Sequence, residues 1–246
     1  MYPISTHETR ILIDIPNSIF EGLGSSAAVR SYLHDRVAPV VPTVVRPQLE
    51  LAIKNGRLRS MPNAWMPSSK NKTPGLVIVG DASNMRHPIT GSGMTVALKD
   101  SVLLANLLDP TDIPDLSDSD AVLRKMGDFH WQRKRHSASL NILAQALYLL
   151  FVSEDKSLEI MQRGFIRYVQ EGEHRFAEPA WIMGGLTSNP FGLFYHFVWI
   201  ALFSIRLHLG QSSSCFEWMW ALAQSVGVLA SALGILWGPL VDELRR

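Results

Sequence analysis

Residues 75–98 of this chain read GLVIVGDASNMRHPITGSGMTVAL, and this stretch decides how the rest of the sequence is interpreted. The apolar run at 76–79 predicts a buried strand. A loop rich in proline and glycine follows, and a helix of small residues begins at Met94. Such an arrangement directs backbone N–H groups towards an anionic ligand. The pattern predicts a nucleotide-like ligand near the helix start, where Asp81 can accept hydrogen bonds from a ribose or another hydroxyl-bearing group.

The wording of this motif resembles the second flavin-binding motif of the squalene monooxygenase (squalene epoxidase) family. The matching segments are GDA at 80–82, NMRHP at 84–88 and TGSGMTVA at 90–97. Other segments resemble further landmarks of the family and follow in family order, namely ETRILIDIP at 8–16, LRSMPN at 58–63, Asn189-Pro190 and His196-Phe197. The resemblance therefore covers most of the chain, from near the first residue to an apolar tail.

The resemblance implies a site for FAD on this loop. Asp81 would bind the ribityl or ribose hydroxyls, and the N–H groups of Gly93 and Met94 would face the flavin ring. The other residues of the implied site are Gly80, Pro88, Gly91 and Ser92. A helix start in this position would stabilise negative charge on the reduced ring.

Two residues of the motif raise separate questions. The family usually has glycine where this chain has Ser92, and if that position requires a positive φ, serine costs on the order of 1 kcal/mol. His87 lies between an arginine and a proline in a tight loop and is interpreted as structural, with direct chemistry as the alternative. No catalytic residue is assigned, because flavin epoxidation needs no protein nucleophile.

The resemblance implies an α/β fold: a partial FAD-binding domain of the flavin hydroxylase type, followed by a mainly helical, membrane-associated region. The chain resembles the C-terminal half of the family. In the family, the first βαβ unit, which holds the ADP part of FAD, belongs to the N-terminal half, and nothing here supplies it. Residues 22–27 have the form G-x-G-x-x-A, but they do not directly follow a strand and no second strand comes after them, so they are interpreted as a loop.

Four parts are expected along the chain: a partial FAD- and substrate-binding domain at 1–108, an acidic linker at 109–120, a helical region at 121–188 and a hydrophobic helical hairpin at 189–246. Alternating isoleucines predict a strand at 10–15. Helices are predicted at 28–37, 48–55 and 94–108, and a long helix or helix pair at 121–152. One apolar face of the helix at 94–108 would consist of Met94, Ala97, Leu98, Ala105 and Leu108. The linker lacks the central glycine and terminal glutamate of a calcium-binding EF-hand loop.

Apolar runs at 191–209 and 218–241 are each close to the ~20 residues that a membrane-spanning helix needs. Tryptophans lie towards the ends of both runs, as is typical of membrane interfaces. They predict a hairpin in or on the endoplasmic reticulum membrane, with buried core helices as the alternative. His196 and Arg206 leave shallow insertion as open as a full span. The basic residues 133–136 suit either an anionic membrane surface or a solvated helix face.

The composition argues against several other classes of protein. The net charge of +1 gives no reason to expect nucleic-acid binding. A single cysteine excludes an internal disulfide and a cysteine-rich zinc site, and the histidines show no metal-ligand spacing. No nucleophile elbow supports hydrolase chemistry, and the first residues do not resemble a signal peptide.

The function implied by the resemblance is FAD-dependent epoxidation, with O2, of a terminal double bond in squalene or a related polyprenyl chain. This chemistry belongs to sterol or triterpenoid biosynthesis, and an NADPH-dependent reductase would donate the electrons. Two alternatives stay open: a catalytically incompetent, truncated remnant that remains membrane-bound, and an epoxidase acting on a terpenoid of specialised metabolism.

Overall fold

The computed structural model describes residues 1–153, 155–187 and 189–245, and within them every side chain except those of residues 2, 173 and 174. The chain forms two compact units, Met1–Pro62 and Asn63–Arg246. Most of the described residues are helical, and strand is confined to two segments of two residues each.

The first unit contains two short strands and three helices, which are β1 (Tyr2–Pro3), β2 (Thr9–Arg10), α1 (Asn17–Leu23), α2 (Ser26–Tyr32) and α3 (Arg46–Asn55). A π-helical turn continues directly from α2 and ends at Val37, in agreement with the helix predicted at 28–37. The guanidinium of Arg30 donates to the carbonyls of Ile53 and Gly56 and so satisfies the end of α3.

The strand predicted at 10–15 is wrong beyond Arg10, because residues 11–16 form no regular element. The alternating isoleucines nevertheless share one inward-facing side of this segment. Ile11, Ile13 and Ile15 are half-buried and pack against a small core that consists of Leu33, Ala38, Leu49 and Ile53. Alternation reports which side chains point inward, whereas a strand also needs a neighbouring strand to bond with.

The second unit contains six helices among its described residues, which are α4 (Gly93–Leu107), α5 (Ser119–Val152), α6 (Lys156–Gln170), α7 (Glu173–Met183), α8 (Pro190–Gly210) and α9 (Cys215–Arg245). Their shared core is formed by apolar residues of α5 to α9. Gly164 brings α6 close to α8: a Cβ placed on it would lie 2.7 Å from the Cα of Ser204. Of the helix or helix pair predicted at 121–152, the structure has the single long helix, α5.

The buried strand predicted at 76–79 is wrong. All four residues are exposed and form no strand. The backbone of Ile78 bonds instead to the side-chain amide of Asn71, through N–H···Oδ1 at 2.8 Å and Nδ2–H···O=C at 3.2 Å. Since no neighbouring strand accompanies this segment among the described residues, the expected α/β architecture is replaced by a mainly helical one.

The apolar face predicted for the helix at 94–108 is also wrong. Met94, Leu98 and Ala105 are exposed and Ala97 and Leu108 are only half-buried. The buried residues of α4 are Val96 and Asp100. The orientation follows from the buried carboxylate of Asp100, which pairs with Arg133 of α5 and turns that polar position inward.

Two described helices, α8 and α9, are long and apolar enough to cross a membrane, and α5 with α6 would be a third case if that bent pair formed one span. Large apolar side chains on α9 remain exposed at helical spacing, including Val226, Leu233 and Trp237. The connection before α5 is a series of turns, and Asp118 caps α5 by accepting from the N–H of Ala121 at 3.0 Å.

Candidate functional site

The motif loop, residues 80–91, begins and ends at glycines whose backbone conformation other residues rarely adopt. Gly80 and Gly91 have φ values of 65° and 66°, in the left-handed region. Between them, short 3-10 turns form at Gly80–Ala82 and Pro88–Thr90. The loop therefore contains two tight turns before it enters α4.

The loop brings Asp81 beside the start of α4. A Cβ placed on Gly93 would lie 3.9 Å from Oδ1 of Asp81, so a carboxylate and the first helical turn are neighbours. Asp81 is exposed and forms no hydrogen bond with another described residue, and Met94 is exposed next to it. An accessible carboxylate and accessible helix N–H groups can bind hydroxyls and an electron-rich ring edge on the same ligand. The assignment of these residues to a flavin stays a prediction.

Ser92 carries no backbone strain. It precedes α4 with φ −82° and ψ −4°, so the positive φ considered from the sequence is wrong for this position. Its hydroxyl bonds to that of Thr90, with 2.9 Å between the oxygens, and it does not cap the helix. The first N–H groups of α4 consequently keep no side-chain cap and stay available to a ligand.

Hydrogen bonds within the loop and to Met66 stabilise its conformation. Asn84 donates through Nδ2 to the carbonyl of Met66 at 2.9 Å, and Arg86 donates through Nη2 to Oδ1 of Asn84 at 2.8 Å. His87 accepts through Nδ1 from the N–H of Ile89 at 3.2 Å and stacks on Tyr148 of α5. These contacts support the structural interpretation of His87.

A buried ion pair joins α4 to α5. Arg133 donates through Nε and Nη2 to the carboxylate of Asp100, with a shortest distance of 2.6 Å, and Nε2 of His136 lies 2.8 Å from the other oxygen. Burial alone would raise the pKa of Asp100, but the hydrogen bonds from His136 and Arg133 outweigh it and lower that pKa below its usual 3.8.

Sequence reasoning missed this pair. It considered the basic residues at 133–136 only as a membrane-facing or solvated cluster, whereas Arg133 is buried. The available signal was an aspartate in the middle of a mostly apolar helix, because a carboxylate on a buried face requires a cationic partner.

An apolar cavity of about 40 Å³ lies between α5, α6, α7 and α8. The wall is almost wholly hydrocarbon and consists of Leu143, Leu147, Leu150, Met161, Phe165, Pro179, Ile182, Met183, Leu193, His196, Phe197 and Ile200. The volume suits one small apolar group, and a longer chain needs the helices to part. Sequence patterns did not predict this cavity.

His196 is the polar member of the cavity wall, and its ring nitrogens are both engaged. Nδ1 lies 3.1 Å from the hydroxyl of Tyr168, and Nε2 lies 3.1 Å from Oε2 of Glu178. Asn189 caps α8 by accepting from the N–H of Gly192 at 2.9 Å. The landmarks noted at 189–190 and 196–197 thus position α8 beside the cavity.

Helix α5 connects the motif loop with the cavity. Tyr148 contacts His87 of the loop, and its neighbour Leu147 lines the cavity. Helix α5 therefore contacts both the motif loop and the cavity.

Comparison with known proteins identifies the family of this chain. A sequence model of the family described as "Squalene epoxidase" matches residues 1–220. The chain is 47% identical to a squalene epoxidase of Aspergillus fumigatus, with 86% of this chain and 44% of that protein covered. It is 40% identical to a squalene epoxidase of Schizosaccharomyces pombe, with 98% and 50% covered.

A squalene monooxygenase of Mus musculus is 37% identical, with all of this chain and 41% of that protein covered. The chain thus spans about half the length of the curated relatives it matches. The match runs through the loop, α5 and the helices around the cavity. On this evidence the chain belongs to the squalene epoxidase family.

Proposed function

We propose that this chain provides the flavin-facing loop and the apolar substrate cavity of an FAD-dependent squalene monooxygenase. The reaction is the transfer of one oxygen atom of O2 to a terminal double bond of squalene or a related polyprenyl alkene, within sterol or triterpenoid biosynthesis. The observation that carries the proposal is the connection, through α5, between the accessible Asp81 loop and the apolar cavity.

The residues present at the loop fit FAD. Asp81 offers two acceptor oxygens for ligand hydroxyls, and the uncapped first turn of α4 offers N–H donors at Gly93 and Met94. Gly80, Pro88, Gly91 and Ser92 shape the backbone that presents these groups. When bound, FAD supplies the oxygen-activating chemistry, which no amino-acid side chain provides.

The cavity fits the substrate class. Its hydrocarbon wall can exclude water and receive one end of an unfunctionalised alkene without leaving polar groups unpaired. Since His196 is already bound to Tyr168 and Glu178, it adds no free polar group to the wall. A complete polyprenyl chain requires the cavity to open, and α8 provides an exposed apolar surface from which such a chain could enter.

The membrane and the electron donor complete the proposal. Helices α8 and α9 bind lipid and bring the cavity to the endoplasmic reticulum membrane, where a polyprenyl substrate dissolves. An NADPH-dependent reductase supplies the electrons. Its contact surface is not assigned to particular residues.

Activity is tested with the chain in detergent micelles, by titrating FAD and following quenching of flavin fluorescence. The loaded protein is then supplied with NADPH, a reductase and either squalene or another terpenoid alkene, and the products are analysed by mass spectrometry. We expect saturable FAD binding and an epoxide. Binding without an epoxide of squalene, but with oxidation of another terpenoid, would assign the chain to specialised metabolism.

The competing function is a non-catalytic relative that keeps the membrane helices. It is favoured by the exposed segment at 76–79, which joins no sheet among the described residues. Adding the separately expressed N-terminal half of the Aspergillus fumigatus relative distinguishes the two. If FAD binds neither to the chain nor to the mixture, the catalytic proposal is refuted.

A further inference from the structure

Helix α7 forms one side of the apolar cavity, to which it contributes Pro179, Ile182 and Met183. With 11 residues it is the shortest of the four helices that line the cavity. Pro179 lies inside the helix and interrupts its backbone bonding, because proline has no N–H to donate. Of the four helices, α7 therefore has the backbone that is easiest to displace.

Contacts at both ends attach α7 to its surroundings. At its start, the guanidinium of Arg175 lies over the aromatic rings of Tyr168 and Phe203, 5.2 Å and 5.5 Å from their centroids. Just after its end, the carbonyl of Gly185 accepts from Nζ of Lys99 in α4 at 2.6 Å. The middle of the helix, between these attachments, is held by a separate set of contacts.

Glu178 joins the middle of α7 to the start of α8. Its Oε2 lies 3.1 Å from Nε2 of His196, and its Oε1 accepts from Nδ2 of Asn189 at 3.3 Å. Gly192 leaves room for this carboxylate, since a Cβ placed on it would lie 2.9 Å from Oε1. Two contacts of one half-buried side chain thus close the seam between α7 and α8.

His196 extends this connection to α6. An ionised carboxylate only accepts hydrogen bonds, so Nε2 of His196 donates to Glu178, and Nδ1 of the neutral ring accepts from the hydroxyl of Tyr168 at 3.1 Å. The imidazole is buried and lines the cavity. Glu178 therefore also fixes the orientation of a ring in the cavity wall.

Exposed aromatic residues flank Glu178 on both helices. Trp181 lies one helical turn after it in α7, and Tyr195 of α8 packs edge-on against His196 with ring centroids 5.3 Å apart. Both side chains are more than half exposed. Rings of this kind are typical of membrane interfaces, and α8 is apolar enough to cross a membrane. A chain dissolved in lipid would therefore reach the seam without crossing water.

We propose that α7 is the gate of the cavity, that Glu178 is the positioning residue that keeps it closed, and that a long hydrocarbon chain enters between α7 and α8. The cavity of about 40 Å³ takes one small apolar group, so a longer chain requires such an opening. When α7 moves outward, Glu178 exchanges His196 and Asn189 for water, which costs little for a half-exposed carboxylate. The assignment of the chain to a polyprenyl alkene rests on the proposed function, whereas the gate does not.

Cysteine labelling in detergent micelles tests the gate. The exposed Cys215 is first replaced by serine. A single cysteine is then introduced as Met161→Cys in the cavity wall, or as Met126→Cys, about 25 Å along α5 from the first wall residue of that helix, Leu143. Both methionines are fully buried. The rate at which N-ethylmaleimide modifies each cysteine, followed by mass spectrometry, reports how often that site opens.

We expect Glu178→Ala to accelerate labelling of Met161→Cys about tenfold, which corresponds to about 1.4 kcal/mol, and to leave Met126→Cys unchanged. Glu178→Gln keeps one acceptor oxygen and should give an intermediate rate. Glu159→Ala is the matched control, because this exposed glutamate pairs with Arg163 within α6. Equal acceleration at both cysteines, or none at Met161→Cys, overturns the proposal. Acceleration by Glu159→Ala equal to that by Glu178→Ala also overturns it.

Squalene separates this proposal from the proposed function. We expect squalene added to the micelles to slow labelling of Met161→Cys and to leave Met126→Cys unchanged. If Glu178→Ala accelerates labelling as expected while squalene gives no protection, the substrate assignment of the proposed function fails and the gate stands. If squalene protects Met161→Cys but Glu178→Ala does not accelerate its labelling, the gate fails and the substrate assignment stands.

Discussion

His87 of the motif loop stacks on Tyr148 of α5, with ring centroids 4.4 Å apart and an angle of 25° between the rings. The same histidine accepts a hydrogen bond from the N–H of Ile89, so it fixes the local turn and anchors it to the helix. The histidine for which direct chemistry was the alternative is thus engaged at both its ring face and its Nδ1 atom.

Replacing Tyr148 should weaken this anchor. We expect Tyr148→Leu to lose about 0.5–1.5 kcal/mol of unfolding free energy from the aromatic pair, measured by denaturant unfolding in detergent. The variant Tyr148→Phe keeps the ring and should be within a few tenths of wild type. Equal losses in the two variants would show that the hydroxyl, and not the stacking, matters.

Asp81 is expected to contribute to flavin affinity. Asp81→Ala removes the acceptor oxygens beside the start of α4, and we expect FAD binding to weaken by about 1.5–3 kcal/mol, typical of hydrogen bonds to a charged group. Flavin fluorescence titration measures the change. Asp120→Asn, an exposed aspartate in the first turn of α5, provides the control. Unchanged affinity in a chain that does bind FAD would place the ligand elsewhere.

Close approach of α6 and α8 at Gly164 gives a stability prediction with a matched control. A Cβ there would lie 2.7 Å from the Cα of Ser204, whereas a Cβ on Gly127 of α5 would meet nothing within 4 Å. We expect Gly164→Ala to destabilise by about 1–3 kcal/mol through overpacking. Gly127→Ala should stabilise by about 0.5–1 kcal/mol, because alanine favours the helix. Thermal unfolding compares them, and the same sign in both would contradict the packing at Gly164.

Acid sensitivity should follow from Asp100. Its pKa in the folded protein lies below the usual 3.8, so its charge stabilises the folded state above about pH 4. That contribution is lost as the pH falls through the lowered pKa. Asp100→Asn should reduce the steepness with which the unfolding free energy falls below about pH 4. It should also cost about 3–5 kcal/mol near neutral pH, because Arg133 is left buried without its anion.

Asp128→Asn serves as the comparison, since Asp128 is exposed on the same helix as Arg133. Denaturant unfolding at a series of pH values measures both variants. An acid limb as steep in Asp100→Asn as in wild type would show that other carboxylates dominate the response.

Local patterns predicted the helices well and the strands poorly. Helix α5 and the pair α8 and α9 follow from periodicity and apolar length, which are properties of each segment alone. The segment at 76–79 has the composition of a strand, but pairing depends on a neighbour that its own residues cannot specify. Likewise, the inward face of α4 was set by Arg133, which is 33 positions away from Asp100.

The site divides in the same way. The order of Asp81, the loop glycines and the start of α4 was readable from the motif, and the structure brings Asp81 beside Gly93. The backbone conformation of Ser92 could not be predicted from the motif, because its φ depends on the path of the whole loop. The apolar cavity is lined by four helices, so the pattern of no single segment predicts it.

Membrane attachment is expected to depend on the outward face of α9. Val226 and Leu233 are 69% and 62% exposed, and no protein core explains their apolar character. We expect wild type to stay with microsomal membranes after carbonate washing. A charged residue near the centre of a membrane helix costs about 2.5–3.5 kcal/mol, so Val226→Asp/Leu233→Asp should move much of the protein to the soluble fraction.

The control is Val40→Asp/Val44→Asp, which likewise introduces two aspartates, at two exposed valines of the first unit. If membrane contact is confined to the apolar helices, this variant remains membrane-bound, because no lipid-facing residue has changed. Full release of wild type by carbonate, together with a monodisperse protein in buffer without detergent, would instead identify α8 and α9 as core helices. Equal release of both double variants would mean that charge anywhere on the surface, and not at the outward face of α9, governs attachment.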